Sequence, residues 1–190
     1  MTAVDQLFGR RTVLVATTLD DETASRVAAE LMTLDALGDD PIELWINCSG
    51  GTFDAALAVM DIIDLAGVPV HATCLGRAHG PAVGVLAVAH HRAATPHSQL
   101  RFDAPASSLA GPISDVVAAA EEITRRHDDF CRRIAHTSGQ SAEWVADALR
   151  SRRTLAPIEG VRAGLLDEIA GPRAAPVSAL FPNRRRSSGA

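Results

Sequence analysis

The architecture of this chain depends on one stretch, Cys74-Leu75-Gly76-Arg77-Ala78-His79-Gly80-Pro81-Ala82-Val83-Gly84, where a strand is predicted to pass directly into a buried helix. The apolar run at 68–75 predicts the strand, and the apolar run at 83–89 predicts a helix with almost no polar face. Gly80 and Pro81 mark the tight turn between them. Many hydrolases carry their nucleophile in a turn of this type, close to helix N-terminal amides. In this chain neither Gly80 nor Pro81 has a nucleophilic side chain, and Pro81 also lacks a backbone N–H.

Strand–helix units with the same organisation precede this turn. In the first, a β-branched strand is followed by an acidic helix start at Asp20-Asp21 and by apolar residues at helical spacing. In the second, Gly50 and Gly51 lie in the join between strand and helix. The predicted elements are, in order, a strand at 12–16, a helix from Asp21 to near Gly38, a strand at 42–46 and a helix at 55–65. This alternation with short joins predicts an α/β fold of repeated strand–helix units, with parallel strands and right-handed crossovers.

A long amphipathic helix is predicted at 112–136. Pro112 fits its first turn, and apolar residues recur at helical spacing from Ile113 to Ile134. The other face pairs acidic residues with arginines four positions later, which stabilises an exposed helix. These pairs are Glu121–Arg125, Glu122–Arg126, Asp128–Arg132 and Asp129–Arg133. A domain of this size cannot cover so long a helix, so the helix is predicted to protrude from the globule as a handle.

Shorter elements complete a single predicted domain at 1–171. They are a strand at 99–102, helices at 142–149 and 158–163, and a last strand at 165–169. From Pro172 onward Pro, Ala, Ser and Arg dominate, so 172–190 is predicted to be a disordered tail. The triple arginine at 184–186 lies in this tail and is interpreted as a solvated run.

Composition and charge indicate which classes of protein this chain can belong to. The 190 residues carry a formal net charge of −5 and are 47% hydrophobic, which is typical of a soluble globular protein and disfavours nucleic-acid binding through an overall basic field. No apolar run approaches the ~20 residues of a membrane span. The three cysteines are widely spaced and odd in number, so a disulfide framework is not expected. This predicts that the protein resides in the reducing cytoplasm. His90, His91 and His97 lack acidic or cysteine partners at matching spacing, so no metal site and no cofactor are expected.

Several motifs, in the same order along the chain, resemble the ClpP family, the proteolytic subunits of the ATP-dependent Clp protease. Three of them are Asn-Cys-Ser-Gly-Gly-Thr at 47–52, Gly-Arg-Ala-His-Gly-Pro at 76–81 and Arg-Phe-Asp-Ala-Pro at 101–105. The other two are Ser-Gly-Gln at 138–140 and Glu-Gly-Val-Arg-Ala-Gly-Leu-Leu-Asp at 159–167. The resemblance covers 7–169, most of the chain. It implies the Clp/crotonase-like α/β fold with a protruding handle helix.

The resemblance also implies that the catalytic positions are substituted. Carried over residue by residue, the family's nucleophilic Ser corresponds to Gly80, its general-base His to Asp103 and its orienting Asp to Arg152. Asp103 and Arg152 are expected to form an ion pair. The family's oxyanion donors are backbone N–H groups, and they correspond to the Gly50-Gly51 turn and to Pro81, which cannot donate. The resemblance therefore implies a family member without peptidase activity, acting as a structural or regulatory subunit.

Assembly, in contrast, is implied to be retained. In the family the handle pairs two seven-membered rings back to back, and Ile113, Val117, Ile123 and Phe130 are the corresponding assembly residues expected here. The expected partners are copies of this chain in stacked rings, or active ClpP paralogues. Only 1–6 precede the part that resembles the first strand region, whereas family members carry a longer axial loop there. A stable complex with a Clp unfoldase is therefore not expected.

Two other functions fit parts of the sequence. A crotonase-like acyl-CoA enzyme uses oxyanion turns without a serine, but Pro81 and the lack of a recognisable CoA-binding pattern disfavour it. A serine-type peptidase with unconventional residues would use Ser49, Cys48 or His79, or a residue from a neighbouring subunit. Small turn residues, and a loop histidine beside a paired Asp103, explain these positions more simply.

Overall fold

Strands and helices alternate along most of the chain in the computed structural model, which describes residues 2–106 and 109–171. In chain order they are α1 (Ala3–Phe8), β1 (Thr12–Val15), α2 (Asp21–Ala36), β2 (Ile42–Cys48), α3 (Phe53–Leu65), β3 (Val70–His79), α4 (Ala82–Ala87), β4 (His91–Ala94), β5 (Gln99–Arg101), α5 (Ile113–Ser138), α6 (Ala142–Arg150), β6 (Thr154–Leu155), α7 (Pro157–Arg162) and β7 (Glu168–Ile169). This order confirms the predicted α/β fold class. The predicted tail at 172–190, with its triple arginine, lies outside the described residues.

The strands form one sheet, in which β1-β2-β3-β4-β7 is the order along the main path and each of these neighbouring pairs is parallel. The central strand β3 changes partner along its length. Its part from His71 to Cys74 pairs with β4, whereas its part from Arg77 to His79 pairs with β5. β6 then adds to β5 in antiparallel orientation. The carboxyl ends of β3 and β5 consequently lie side by side, and the residues that follow them are brought together.

Helices cover one face of the sheet and leave the other face open within this chain. In β2, Ile42, Leu44 and Ile46 are fully buried, whereas the alternate residues Glu43 and Asn47 reach solvent. Successive side chains of a strand point to opposite faces, so the buried set faces the helices. The core is formed between this covered face and the buried residues of α2, α3, α4 and the end of α5.

The short helix α4 lies entirely inside this core. All six of its residues are buried, as the lack of a polar face predicted, although the helix spans 82–87 and not 83–89. Gly84 is where α4 crosses the base of α5. A Cβ placed on Gly84 would lie 2.3 Å from Cε2 of Phe130 and 3.1 Å from Sδ of Met60. Close packing at this crossing therefore requires glycine.

The handle helix α5 has 26 residues, runs two residues beyond its predicted end and stops at Gly139, whose φ is +72°. Its fully buried residues, Phe130, Cys131 and Ile134, all lie near its C-terminus, so the N-terminal part extends away from the core. The predicted Glu122–Arg126 pair forms at 2.9 Å.

Other arginines of the handle pair differently from the prediction. Arg125 bonds Glu122 and Arg132 bonds Asp129, each three residues back instead of four. Arg126 also reaches Asp54 at 2.9 Å, and Arg133 bonds Asp64 at 2.5 Å. Asp54 and Asp64 belong to α3, so these contacts tie the handle to the neighbouring helix.

Several boundaries differ from the sequence prediction. β3 runs on to His79, four residues past the predicted strand end, and β7 is confined to 168–169. The elements α1, β4 and β6 were not predicted. None of the helices described at 2–106 and 109–171 combines the length and apolar character needed to cross a bilayer.

Candidate functional site

Gly80 forms the elbow between β3 and α4. Its φ is +56°, a left-handed conformation that glycine adopts without steric cost. The Gly80 N–H donates to the carbonyl of Arg101 at 2.7 Å, and the Gly80 carbonyl accepts from the N–H of Val83 at 3.1 Å. Pro81 is buried at the start of α4 and has no N–H to offer. The strand-to-helix geometry that mounts a nucleophile in hydrolases is thus present, without a side chain to act as one.

The Gly50-Gly51 turn lies against this elbow. A Cβ placed on Gly80 would be 3.8 Å from the Cα of Gly50. The Leu19 N–H donates to the Gly50 carbonyl at 2.9 Å, and the Thr52 N–H donates to the Leu19 carbonyl at 3.0 Å. A Cβ on Gly51 would lie only 2.3 Å from the Leu19 carbonyl oxygen. The turn is therefore held in shape by the chain that precedes α2, and position 51 admits only glycine.

Asp103 and Arg152 lie next to the elbow. A Cβ placed on Gly80 would be 3.8 Å from the Asp103 Cβ and 3.0 Å from the Asp103 carbonyl oxygen. The Arg101 guanidinium binds the Asp103 carboxylate through two contacts, Nε to Oδ2 at 2.6 Å and Nη2 to Oδ1 at 3.0 Å. Arg152 also approaches this carboxylate, with Nε 4.0 Å from Oδ1. The structure thus brings Gly80, Asp103 and Arg152 together, and it adds Arg101, which the sequence analysis missed as the closer partner of Asp103.

His79 precedes the elbow and has a buried ring nitrogen. Its Nε2 has no hydrogen-bond partner among the described residues. Burial lowers the pKa of His79, the positive charges of Arg101 and Arg77 lower it further, and Asp103 acts in the opposite direction. Together these effects favour the neutral form of the imidazole. A neutral histidine acts as a general base only where a hydroxyl, thiol or water is presented to it.

A profile of the Clp protease family matches residues 1–173. The chain belongs to the Clp protease family. Its relatives include ATP-dependent Clp protease proteolytic subunit 1 of Nocardia farcinica, 31% identical over 172 residues that cover 88% of this chain and 86% of that protein. ATP-dependent Clp protease proteolytic subunit 2 of Corynebacterium jeikeium is 30% identical over 169 residues, 87% of this chain and 81% of the relative. The Arabidopsis thaliana ATP-dependent Clp protease proteolytic subunit-related protein 2, chloroplastic, is 30% identical over 169 residues, 87% of this chain and 61% of that protein.

The thiols of this Clp protease family chain are poorly suited to be nucleophiles. Cys48, Cys74 and Cys131 are free and buried. Burial raises the pKa of each thiol, that of Cys131 to about 11, so the reactive thiolate is scarce near neutral pH. The Cys48 Sγ–H donates to the Gly50 carbonyl at 3.0 Å. Ser49 is exposed, and within the described part of the chain no hydrogen bond joins it to a histidine or a carboxylate.

The handle residues of this chain that were expected to mediate assembly fall into two groups, one exposed or partly buried and one fully buried. Ile113 and Val117 are 84% and 52% exposed, and Ile123 is partly buried. Phe130 differs, because it is fully buried inside the subunit with its ring centroid 4.8 Å from that of Phe53. It has the same helical spacing as the exposed residues, but this part of α5 faces α3 and α4. Phe130 therefore stabilises the subunit and is unavailable to a facing copy.

Arg152 adopts a backbone conformation that favours glycine. It follows α6 with φ of +51°, its N–H donates to the Leu149 carbonyl at 3.2 Å, and the Arg153 N–H donates to the Ala148 carbonyl at 2.9 Å. These two bonds define a Schellman motif, in which glycine is the preferred residue at the position of Arg152. A residue with a Cβ loses roughly 1 kcal/mol in this conformation.

Arg152→Gly is accordingly expected to raise the free energy of unfolding by about 1 kcal/mol, measured by urea denaturation. Arg150→Gly is the matched control, since it removes the same side chain from the last turn of α6 and is expected to destabilise by about 1 kcal/mol. An Arg152→Gly variant less stable than the wild type would show that the contact with Asp103 outweighs the backbone strain.

Proposed function

We propose that this Clp protease family chain is a subunit without peptidase activity, which serves as a structural or regulatory member of a ring assembly. The observation that carries the proposal is the composition of the elbow. Asp103 lies next to Gly80 and to Arg152, and none of the three has a side chain that performs the role of the corresponding residue in a Ser-His-Asp triad.

Each missing group has a physical consequence. Gly80 has no oxygen or sulfur to attack a peptide carbonyl. The Asp103 carboxylate is bound by Arg101 through both of its oxygens, and it lacks the imidazole that serves as the base in a Ser-His-Asp triad. Arg152 is a cation with donors only, so it cannot accept the N–H of an imidazole and orient it. Pro81 removes one of the two oxyanion donors, which also disfavours an acyl-CoA enzyme that would depend on the same pair.

The assembly part of the proposal rests on the exposed apolar residues of the handle. Ile113 and Val117 lie on the part of α5 that extends away from the core, where water contacts their side chains. A shallow groove beside Val117 is lined by Ala120, Glu121, Thr124 and Arg125. A facing handle would cover this surface, across a two-fold axis, with a copy of this chain or with an active paralogue.

Val117→Asp is expected to split stacked rings into single rings, because it buries an unpaired charge at the contact between handles. Native mass spectrometry is expected to show half the mass of the wild-type assembly. Met32→Asp is the control, since Met32 is an exposed apolar residue, 61% accessible, on the separate helix α2. A monomeric wild type, or a Val117→Asp variant with the wild-type mass, would contradict assembly through the handle.

The regulatory part is tested by mixing the chain with an active ClpP paralogue from the same cell. Mixed rings are expected to appear as intermediate masses in the same spectra. Their peptidase rate is expected to come only from the active subunits.

A further inference from the structure

A row of carboxylate and imidazole side chains crosses the open face of the sheet, at the end remote from Gly80. Glu43 of β2 is in register with His71 of β3, and His71 is in register with His91 of β4. Glu168 of β7 continues the row, with Oε1 3.2 Å from Nε2 of His91. The side chains of His71 and His91 are 33% and 43% accessible, so a solute can reach them from solvent.

The two imidazoles are separated by the distance that shared coordination of one metal ion requires. Their ring centroids are 5.6 Å apart, with the ring planes inclined at 72°. A zinc–nitrogen bond of about 2 Å places the ion roughly 3 Å from each ring centroid, so two rings at a tetrahedral angle have centroids roughly 5 Å apart. Small side-chain rotations are sufficient to close the remaining difference.

Glu43 and Glu168 lie on the outer sides of the histidine pair. Each carboxylate is close to one nitrogen of its histidine ring, so the other nitrogen of that ring is free to bind a metal ion. The Glu43 Oε1 is 3.6 Å from Nδ1 of His71, on the β2 side, and the Glu168 Oε1 is 3.2 Å from Nε2 of His91, on the β7 side. This leaves Nε2 of His71 and Nδ1 of His91 for the metal. Asp167 is a nearby oxygen donor, with Oδ2 3.9 Å from Nδ1 of His91, although its carboxylate is also bound by Arg92.

We propose that His71 and His91 form a binding site for a divalent transition-metal ion of the class that prefers imidazole, such as Zn²⁺, Cu²⁺ or Ni²⁺. Glu43 and Glu168 orient the two rings, as carboxylates do for metal-bound histidines in general. In the described part of the chain no three His, Cys, Asp or Glu side chains are already gathered around one point, so water or Asp167 completes the coordination. The site links β3 to β4 and is separate from the Gly80 elbow.

Titration of the untagged wild-type protein with Zn²⁺ by isothermal calorimetry is expected to show one site per chain. His71→Ala and His91→Ala are each expected to abolish saturable binding. His97→Ala is the matched control, since His97 is an exposed histidine in the turn before β5 and is expected to leave binding unchanged. Glu168→Gln is expected to weaken the affinity about tenfold, because it removes the carboxylate that holds the His91 ring.

A spectroscopic readout distinguishes this site from scattered surface binding. With Cu²⁺, electron paramagnetic resonance is expected to show two imidazole nitrogens bound to the same ion in the wild type, and this two-nitrogen signal is expected to be lost in each single histidine variant. Zn²⁺ is also expected to raise the melting temperature of the wild type but not of His71→Ala. Absence of saturable binding, or binding that survives both histidine substitutions, would overturn the proposal.

Discussion

Replacing Gly84 with alanine is expected to destabilise the protein by about 3 kcal/mol, because the added methyl group has no space. Its carbon would lie 2.3 Å from Cε2 of Phe130 and 2.9 Å from Cζ of the same ring. Phe130 cannot move aside easily, since it is fully buried and packs against Phe53. Met60, also fully buried, closes the other side with Sδ at 3.1 Å.

The midpoint of urea denaturation measures this effect, with Gly67→Ala as the control. Gly67 follows α3, and a Cβ there would meet only the flexible side chain of Asp35, at 3.5 Å. This variant is expected to differ from the wild type by less than about 0.5 kcal/mol. A Gly84→Ala midpoint equal to that of the wild type would mean that the core at the base of the handle repacks freely, and that its close crossing does not fix the position of α5.

The sequence predicted the repeated strand–helix units well because each carries a clear apolar period and a turn signal. It failed where the chain departs from simple periodicity. The prediction ended β3 at Leu75, where its apolar run ends, but the strand continues and changes its partner from β4 to β5. A Cβ at Gly76 would lie 3.2 Å from Oδ1 of Asn47, so a side chain there would crowd the neighbouring strand.

The arrangement of the elbow was only partly predictable. The resemblance identified Gly80, Asp103 and Arg152, and the fold brings them together. The sequence also contained a signal for Arg101, because residues two apart in an extended chain share a face. No sequence pattern indicated the φ of +51° at Arg152, which arises from the way α6 ends before β6.

The histidine row was missed for a different reason. His71 and His91 are 20 residues apart, and they become neighbours only through the register of β3 with β4. The sequence analysis predicted a helix at 83–89 and no strand directly after it, whereas β4 begins at His91. Sheet register between strands separated by a buried helix depends on packing, which local patterns do not determine.

Restoring a serine at the elbow by Gly80→Ser is expected to produce no peptidase activity. The elbow would then present a hydroxyl beside Asp103, whose carboxylate remains bound to Arg101. Loss of a triad member lowers peptidase rates by roughly 10⁴, and loss of one oxyanion donor by a further factor of about 10² to 10³. Because base, orienter and one donor stay absent, the single substitution replaces only the nucleophile.

Hydrolysis of a fluorogenic peptide and of unfolded casein by the purified chain is the most direct test of an inert active site. An active ClpP, assayed under the same conditions, provides the reference rate. The wild type and Gly80→Ser are both expected to give the rate of buffer alone. Turnover by the wild type that persists through purification, and that disappears in Ser49→Ala or His79→Ala, would contradict the assignment of this chain as a subunit without peptidase activity.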